Sequence, residues 1–391
     1  MSHTKLTIGF APLLDCAPLI VAAANGFGTE QGLELALVRE SSWANIRDRT
    51  IVGHFDAAHM LAPLPIASTL GIGHLKVPMI APMALGLGGN AITVRCDLHD
   101  DMQNAGMTVD ATPQAQGEAL RRVIAERRQQ GKPTLMLAMV YPFSAHNYEL
   151  RYWLAACGID PDRDVQLIVI PPPLLVDAMR AGQIDGFCVG EPWNSVAVES
   201  GVGRILMATT AIWRNSPEKV LGVTASWAQQ HPEQLSALIR ALWKSAAWCE
   251  QPGNHADLAA LLSEPRHIGT AFEVLHRTLS GRLRLTSQAE PVAVTDFYIP
   301  ARYCATFPWK NHAQWFYDQM VRWRQAARSN DDAMAACDTY RPDLYRAALA
   351  PLDVDVPSGD SKLEERADEP SNVPSRQGQL RIGPQGFFNI R

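Results

Sequence analysis

The chain has 391 residues, 47% of them hydrophobic and 19% charged, with a net charge of -5. Such a balance suits a soluble globular protein of two or three domains with sizeable cores, and the mild, interspersed charge excludes the concentrated basic face of a nucleic-acid binder. The cysteines (Cys16, Cys96, Cys157, Cys188, Cys249, Cys304 and Cys337) stand singly without a C-x-x-C pair, which argues against zinc clips and thioredoxin-like chemistry and fits a reducing compartment.

Lys5–Ala11 reads as a short buried strand and Pro18–Asn25 as a helix stopped by Asn25-Gly26. The apolar stretch that contains them is no signal peptide by its pattern: Asp15 interrupts it, the residue before Cys16 is charged, and Lys5 is the one early Lys or Arg. No stretch approaches the roughly 20 apolar residues of a membrane span. Leu33–Val38 is a second strand, Trp43–Val52 a helix capped by Ser41 or Ser42, Asp56–Met60 a third strand, and Pro63 opens the next helix. Met79–Leu85 and Ala91–Arg95 are extended segments around a glycine turn, Gly86–Gly89. The alternation then restarts: helix Pro113–Gln130, strand Thr134–Val140, helix Asn147–Cys157, strand Val165–Ile170, helix Leu174–Ala181, strand Ile184–Gly190, and a short helix Ser195–Glu199. A return strand at Val220–Val223 precedes helices at Pro232–Cys249, Asn254–Leu262, Thr270–Leu279 and Ala313–Ala327.

Beta-alpha alternation implies mostly parallel sheets with helices on both faces, and two runs of it imply two such lobes. The expected organisation is a discontinuous first lobe (1–96 and 220–350), a second lobe (97–219), and a tail (351–391) whose Pro, Ser, Gly, Asp and Glu content predicts a flexible segment. Walker A, G-x-S-x-G and H-E-x-x-H sequences do not occur, so catalytic machinery is not visible.

Ligands of open α/β sheets bind beyond the carboxyl ends of strands. Trp43, Gly86–Asn90, Ser144–Asn147 and Lys219 stand at such places. The segments SSWANIRD, LGLGGNAITV, HNYELRYWLAACGID, the triple proline after VQLIVI, GEPWN and PEKVLGV resemble, in order and spacing, the nitrate- and bicarbonate-binding proteins of the NrtA/CmpA type, from about residue 5 to 330. The resemblance implies a two-lobed, type II periplasmic-binding-protein-like α/β fold with the anion in the interlobe cleft. It places Trp43, Gly86, Asn90, His146, Pro172 and Lys219 at the ligand, with Asn90 where the nitrate binder has a glutamine one carbon longer.

A planar monoanion needs convergent donors and compensating positive charge. Lys219 would supply the charge, His146 and Asn90 directional hydrogen bonds, and helix N-termini after Ser42 and His146 further N–H groups. Each residue also has an ordinary reading, with Trp43 as packing, His146 as a helix cap, Lys219 as a solvated charge and Asn90 as a turn residue. Bicarbonate relatives hold a calcium ion near the anion, but Glu218 beside Lys219 is a single carboxylate, and calcium takes about six or more oxygens. No metal and no cofactor are expected.

The start of the chain directly on a strand, without a leader, is similar to cytoplasmic nitrate/nitrite sensors of the NasS type. Those imply a partner, an RNA-binding antiterminator of the ANTAR type, held inactive by the ligand-free sensor and released by nitrate or nitrite. The expected function is thus a cytoplasmic sensor without direct nucleic-acid binding or membrane insertion. The alternatives are the substrate-binding component of a nitrate, nitrite or bicarbonate ABC transporter and, third, an enzyme on the same scaffold, for which His146 with Cys157 or Cys188 are the candidates.

Overall fold

The computed structural model describes residues 3–73, 75–108, 110–364 and 367–389. Its strands are β1 (Thr4–Phe10), β2 (Leu33–Arg39), β3 (Ala57–Leu61), β4 (Met79–Ala84), β5 (Asn90–Arg95), β6 (Met136–Met139), β7 (Gln166–Val169), β8 (Gly186–Gly190), β9 (Gly203–Ala208) and β10 (Lys219–Thr224). They form two five-stranded sheets, in the orders β2-β1-β3-β10-β4 and β9-β5-β8-β6-β7. In the first sheet β1 runs parallel to β2 and β3, while β10 is antiparallel to both neighbours. In the second, β6 is parallel to β7 and β8, and β5 is antiparallel to β8 and β9. Two mixed sheets flanked by helices make the two-lobed α/β fold of periplasmic-binding proteins. The chain enters the second sheet at Asn90, ahead of the expected boundary at 97, because β5 pairs there with β8 and β9. It returns at Lys219, which pairs with Leu61 of β3.

Strands buried on both faces explain the near-continuous apolar runs: every residue of β3, β4, β8 and β10 is buried. One apolar cluster carries residues of both sheets, Met60 and Val220 from the first with Ala138 and Phe187 from the second. The lobes therefore meet over a packed surface. Polar contacts add to it: the Leu14 amide donates to the Glu191 carbonyl at 2.7 Å, the Trp193 indole to Pro12 O at 3.1 Å, and the Tyr148 hydroxyl to Gln325 at 2.7 Å.

Two differences from the sequence reading stand out. The helix Cys96–Asn104 and the antiparallel edge strand β9 were not expected, nor were the helices Asn330–Thr339 and Pro342–Leu349, which lie within the expected bounds of the first lobe. The segment 351–391, expected to be flexible, pairs Ser371–Ser375 with Gly378–Ile382 in an antiparallel hairpin and Gly386–Phe387 with Trp213–Arg214. It makes no core of its own. Ile382 joins the core of the first lobe and Phe387 that of the second, so surfaces already built by both lobes supply the burial that offsets its ordering entropy.

Candidate functional site

The carboxyl ends of β1, β3 and β6 and the amino end of β10 converge between the lobes. From the first lobe, the turn after β1 supplies Asp15, β3 supplies His59, and the helix Trp43–Ile51 places Trp43 at its first position. Ser42 caps that helix through the Asn45 amide. The second lobe brings the helix Ala145–Ala156, whose N-terminus is closed by the Ser144 hydroxyl accepting from the Asn147 amide at 3.1 Å. The helix thus begins before His146, and not after it as expected, so His146 and Glu149 stand on its first turns.

Lys219 is the centre of a buried chain of charge. Its ammonium donates to Asp15 Oδ2 at 2.8 Å and to Glu218 Oε1 at 2.5 Å. Each carboxylate also faces a histidine: His59 Nε2 is 3.0 Å from Asp15 Oδ1, the oxygen that Lys219 leaves free, and His146 Nε2 is 3.0 Å from Glu218 Oε1, the same oxygen that Lys219 holds. Both contacts have the distance of an ion pair but are poorly aligned for a ring N–H hydrogen bond. The Trp43 ring lies edge-on to His59 at 5.4 Å, and Lys219 Nζ stands 5.4 Å from the Trp43 centroid. All these side chains are buried.

Electrostatics follow from that enclosure. Burial alone would raise the Asp15 carboxyl, but Lys219 and His59 more than reverse it and hold it well below the usual carboxylate range. Burial opposes ionisation of Glu218 in the same way, and His146 and Lys219 bring it down to about 2. Desolvation would lower Lys219, yet the two carboxylates raise it. For His59 and His146 burial wins over the adjacent carboxylates, so both are shifted toward the neutral ring. The sequence expectation gave Lys219 as the positive charge that compensates the anion. The structure corrects this: one cation faces two carboxylates.

Asn90 begins β5 opposite Gly190, and its side-chain N–H group points to Glu149 Oε2 at 3.5 Å, the outer limit of a hydrogen bond. Glu149 is enclosed with Thr209 and Ser216, and burial followed by the charge of Glu218 pushes its carboxyl up to about 8. Glu191, which accepts from the Ser195 amide at 3.2 Å, is raised by burial to about 7. Among the described residues, a conspicuous set of buried polar atoms makes no well-formed hydrogen bond: Trp43 Nε1, His146 Nδ1, Asn90 Oδ1, Glu218 Oε2 and Glu149 Oε1, beside which stand the hydroxyls of Thr209 and Ser216. Buried polar groups are normally satisfied, so this concentration between two lobes is what a site built for a small polar guest and ordered water looks like.

The structure brings Trp43, Asn90, His146 and Lys219 into this one locus. Gly86 borders it: with φ near +108° it turns the chain after Leu85, whose amide donates to Lys219 O at 2.9 Å, and a Cβ there would meet Ile299 O and the Tyr298 ring at 3.0 Å. Pro172 is the one buried residue of the 3-10 turn Pro172–Leu174 after β7, and among the described residues no polar contact ties it to the cluster. Asp15, His59 and Glu149 were missed. Asp15 was weighed as an interruption of an apolar run, and a buried aspartate inside such a run was itself a signal. For Cys157 the His–Cys alternative does not assemble, because its Sγ lies against Pro113 O and Gln114; Cys188 lies within reach of the charges of Glu149, Glu218 and Lys219, and burial raises its thiol.

Residues 1–263 match the NMT1-like family. The nitrate/nitrite binding protein NrtA of Synechococcus elongatus is 31% identical over 370 residues, covering 91% of this chain and 80% of that one. The nitrate import ATP-binding protein NrtC of Synechocystis sp. is 36% identical over 357 residues, 90% of this chain but 51% of NrtC; the chain spans about half the length of that relative. The crystal structure of the periplasmic nitrate-binding protein NrtA from Synechocystis PCC 6803 superposes with a TM-score of 0.86 at 28% identity, covering 99% of this chain and 94% of that one. The alkanesulfonate-binding protein SsuA of Xanthomonas axonopodis, at 15% identity and a TM-score of 0.59, shares the fold. With family, relatives and fold in agreement, the chain belongs to the NMT1-like family, among the nitrate- and bicarbonate-binding proteins of the NrtA/CmpA kind.

Proposed function

We propose that this protein is a receptor for a small planar oxyanion, nitrate or nitrite before bicarbonate, held between its lobes by Trp43, Asn90, His146 and Lys219. The observation that carries the reading is the enclosed set of unpartnered polar atoms, with the Trp43 indole N–H and the His146 Nδ1 position as donors for an anion. The NrtA relatives, which bind nitrate and nitrite, support the choice of ligand.

The finer reading is a cytoplasmic sensor whose ligand-free form sequesters an ANTAR-type antiterminator and whose anion-bound form releases it. It rests on the resemblance of the sequence to NasS-type sensors. It requires that partner and anion favour different lobe arrangements, since a ligand shifts an equilibrium only by its differential affinity. The second reading, a transporter's substrate-binding component, is favoured by the import and transport proteins among the relatives.

Titration calorimetry with nitrate, nitrite, bicarbonate with and without calcium, and sulfate separates the ligands. Nitrate or nitrite should bind, and Trp43→Phe should weaken binding about 10- to 100-fold by removing one hydrogen bond to a charged ligand. Binding of bicarbonate alone, dependent on calcium, would overturn the ligand choice. An antiterminator that co-purifies with the protein should leave when nitrate is added; a complex that survives saturating nitrate sinks the sensor reading and leaves the transporter one.

A further inference from the structure

The buried charges around Lys219 do not sum to a site ready for a monoanion. Lys219 contributes one positive charge, and Asp15 and Glu218, both in direct contact with it, contribute two negative ones. Bringing nitrate into the same water-poor space adds another negative charge where like charges repel most strongly. Something must arrive with the anion. Among the described residues, no cluster of three or more metal-ligating His, Cys, Asp or Glu side chains is present to seat a metal ion.

The two histidines differ in what they can do. His59 is committed as a neutral ring: its Nδ1 is approached by the Ala11 amide at 3.4 Å, a group that can only donate, while Nε2 faces Asp15. A second ring proton would meet that N–H head-on. His146 has Nε2 against Glu218 and a buried Nδ1 that, among the described residues, has no hydrogen-bond partner. It stands on the first turn of the helix Ala145–Ala156 and is fully buried.

We propose that anion binding is coupled to uptake of one proton from solvent at His146, so that the receptor takes up the elements of an acid, proton and anion together. The proposal rests on the anion reading of this site. The imidazolium would have Nε2–H on Glu218 and Nδ1–H available to an anion oxygen, restoring the balance of charge in the cleft. The charged and titratable groups around His146 are Glu218 and Lys219 at the head of β10, Asp15 in the turn after β1, and Glu149 one turn along its own helix. Cys188 of β8 and Tyr340 approach Glu218 from the remaining sides. Burial favours the neutral ring of His146; an adjacent anion favours the charged one.

Nitrate does not itself titrate near neutrality, so the proton can be read from the protein. In chelator-containing buffer, nitrate affinity measured at pH 6, 7 and 8 should weaken by up to about tenfold per pH unit as pH rises. Calorimetry in buffers of different ionisation heat should show close to one proton taken up per nitrate at the lower pH. His146→Gln should bind weakly with a flat pH profile, whereas His59→Gln should keep the slope. Nitrate affinity that is level from pH 6 to 8 in the wild-type protein, a slope that persists in His146→Gln, or binding that appears only when a divalent cation is supplied would overturn the proposal. No binding of nitrate or nitrite at any pH would instead overturn the anion reading itself.

Discussion

Lys219 shows why single residues in a buried site resist reading from sequence. A lysine ahead of a strand is usually a solvated charge, and the family resemblance turned it into a ligand. Neither reading contains its contact with Asp15, which lies 204 positions away in sequence and reaches Lys219 only through the fold. Glu149 was equally hidden, since its neighbours Thr209 and Ser216 come from the far end of the second lobe. Glu149 also makes a testable contribution to stability. Its folded-state value of about 8 lies above the ordinary 4.5, so the folded protein keeps a proton that the unfolded chain has released. The resulting penalty is absent below pH 4.5, grows as pH rises, and levels off above about 8. At pH 7 it is about 3 kcal/mol. Glu149→Gln, which keeps the shape without the ionisation, should therefore raise the denaturation midpoint at pH 7 to 8 and match the wild type at pH 4.5. A variant no more stable than the wild type at pH 8 would show that Glu149 is ionised in the fold.

At the level of elements, strands and helices of the two alternations were legible because their burial patterns are local: β1, β3, β8 and β10 each lie within two residues of the expected bounds. Elements that depend on distant partners were not. The edge strand β9 exists because β5 offers it a free side, and the C-terminal hairpin lies on lobes that only the whole chain builds. Composition describes what a segment can bury by itself, which for 351–391 is little. Phe387 supplies what composition overlooked: its ring stacks on Trp213 at 4.8 Å and lies 4.8 Å from Tyr152 and 5.8 Å from Trp315. Glu364 adds a second anchor, with His312 Nε2 at 2.9 Å and Lys362 Nζ at 2.8 Å. Phe387→Ala should cost about 3–5 kcal/mol in urea unfolding, as for other buried phenylalanines. Limited proteolysis within Gly378–Ile382, whose backbone is paired in the hairpin, should then be faster than in the wild type. Unchanged unfolding with unchanged protection would mean that the segment does not dock in solution.

For the molecule as a whole, the buried titratable groups give stability a shape in pH whose sides have different owners. Glu218 and Glu364, both brought to about 2, contribute stability that is fully present above 4.5 and is lost as pH falls through 2. His59, His146 and His312 are shifted below 6.5, so the unfolded chain gains protons before the folded one and stability falls as pH drops below 6.5. The raised carboxyls Glu149 and Glu191 lower stability from pH 4.5 up to about pH 8 and pH 7 respectively, and above 6.5, where the histidines no longer change, this loss is unopposed by them. Without ligand the denaturation midpoint should thus fall as pH rises from 6.5 toward 8, so its maximum lies on the acid side of pH 6.5. Saturating nitrate should do more than raise the curve uniformly. If His146 takes up a proton with the anion, its shift reverses sign in the bound state, one of the three histidine penalties disappears, and the acid side of the curve is lifted more than the alkaline side. The peak then moves to lower pH, and the stabilisation by nitrate is larger at pH 6 than at pH 8 by up to about 1.4 kcal/mol per pH unit, the linkage value of one proton. Thermal denaturation across this range, with and without nitrate, measures both curves in one experiment. A nitrate-induced rise of equal size at pH 6 and pH 8 would assign the anion to a site whose charge is already balanced, contrary to the one cation and two carboxylates that meet at Lys219.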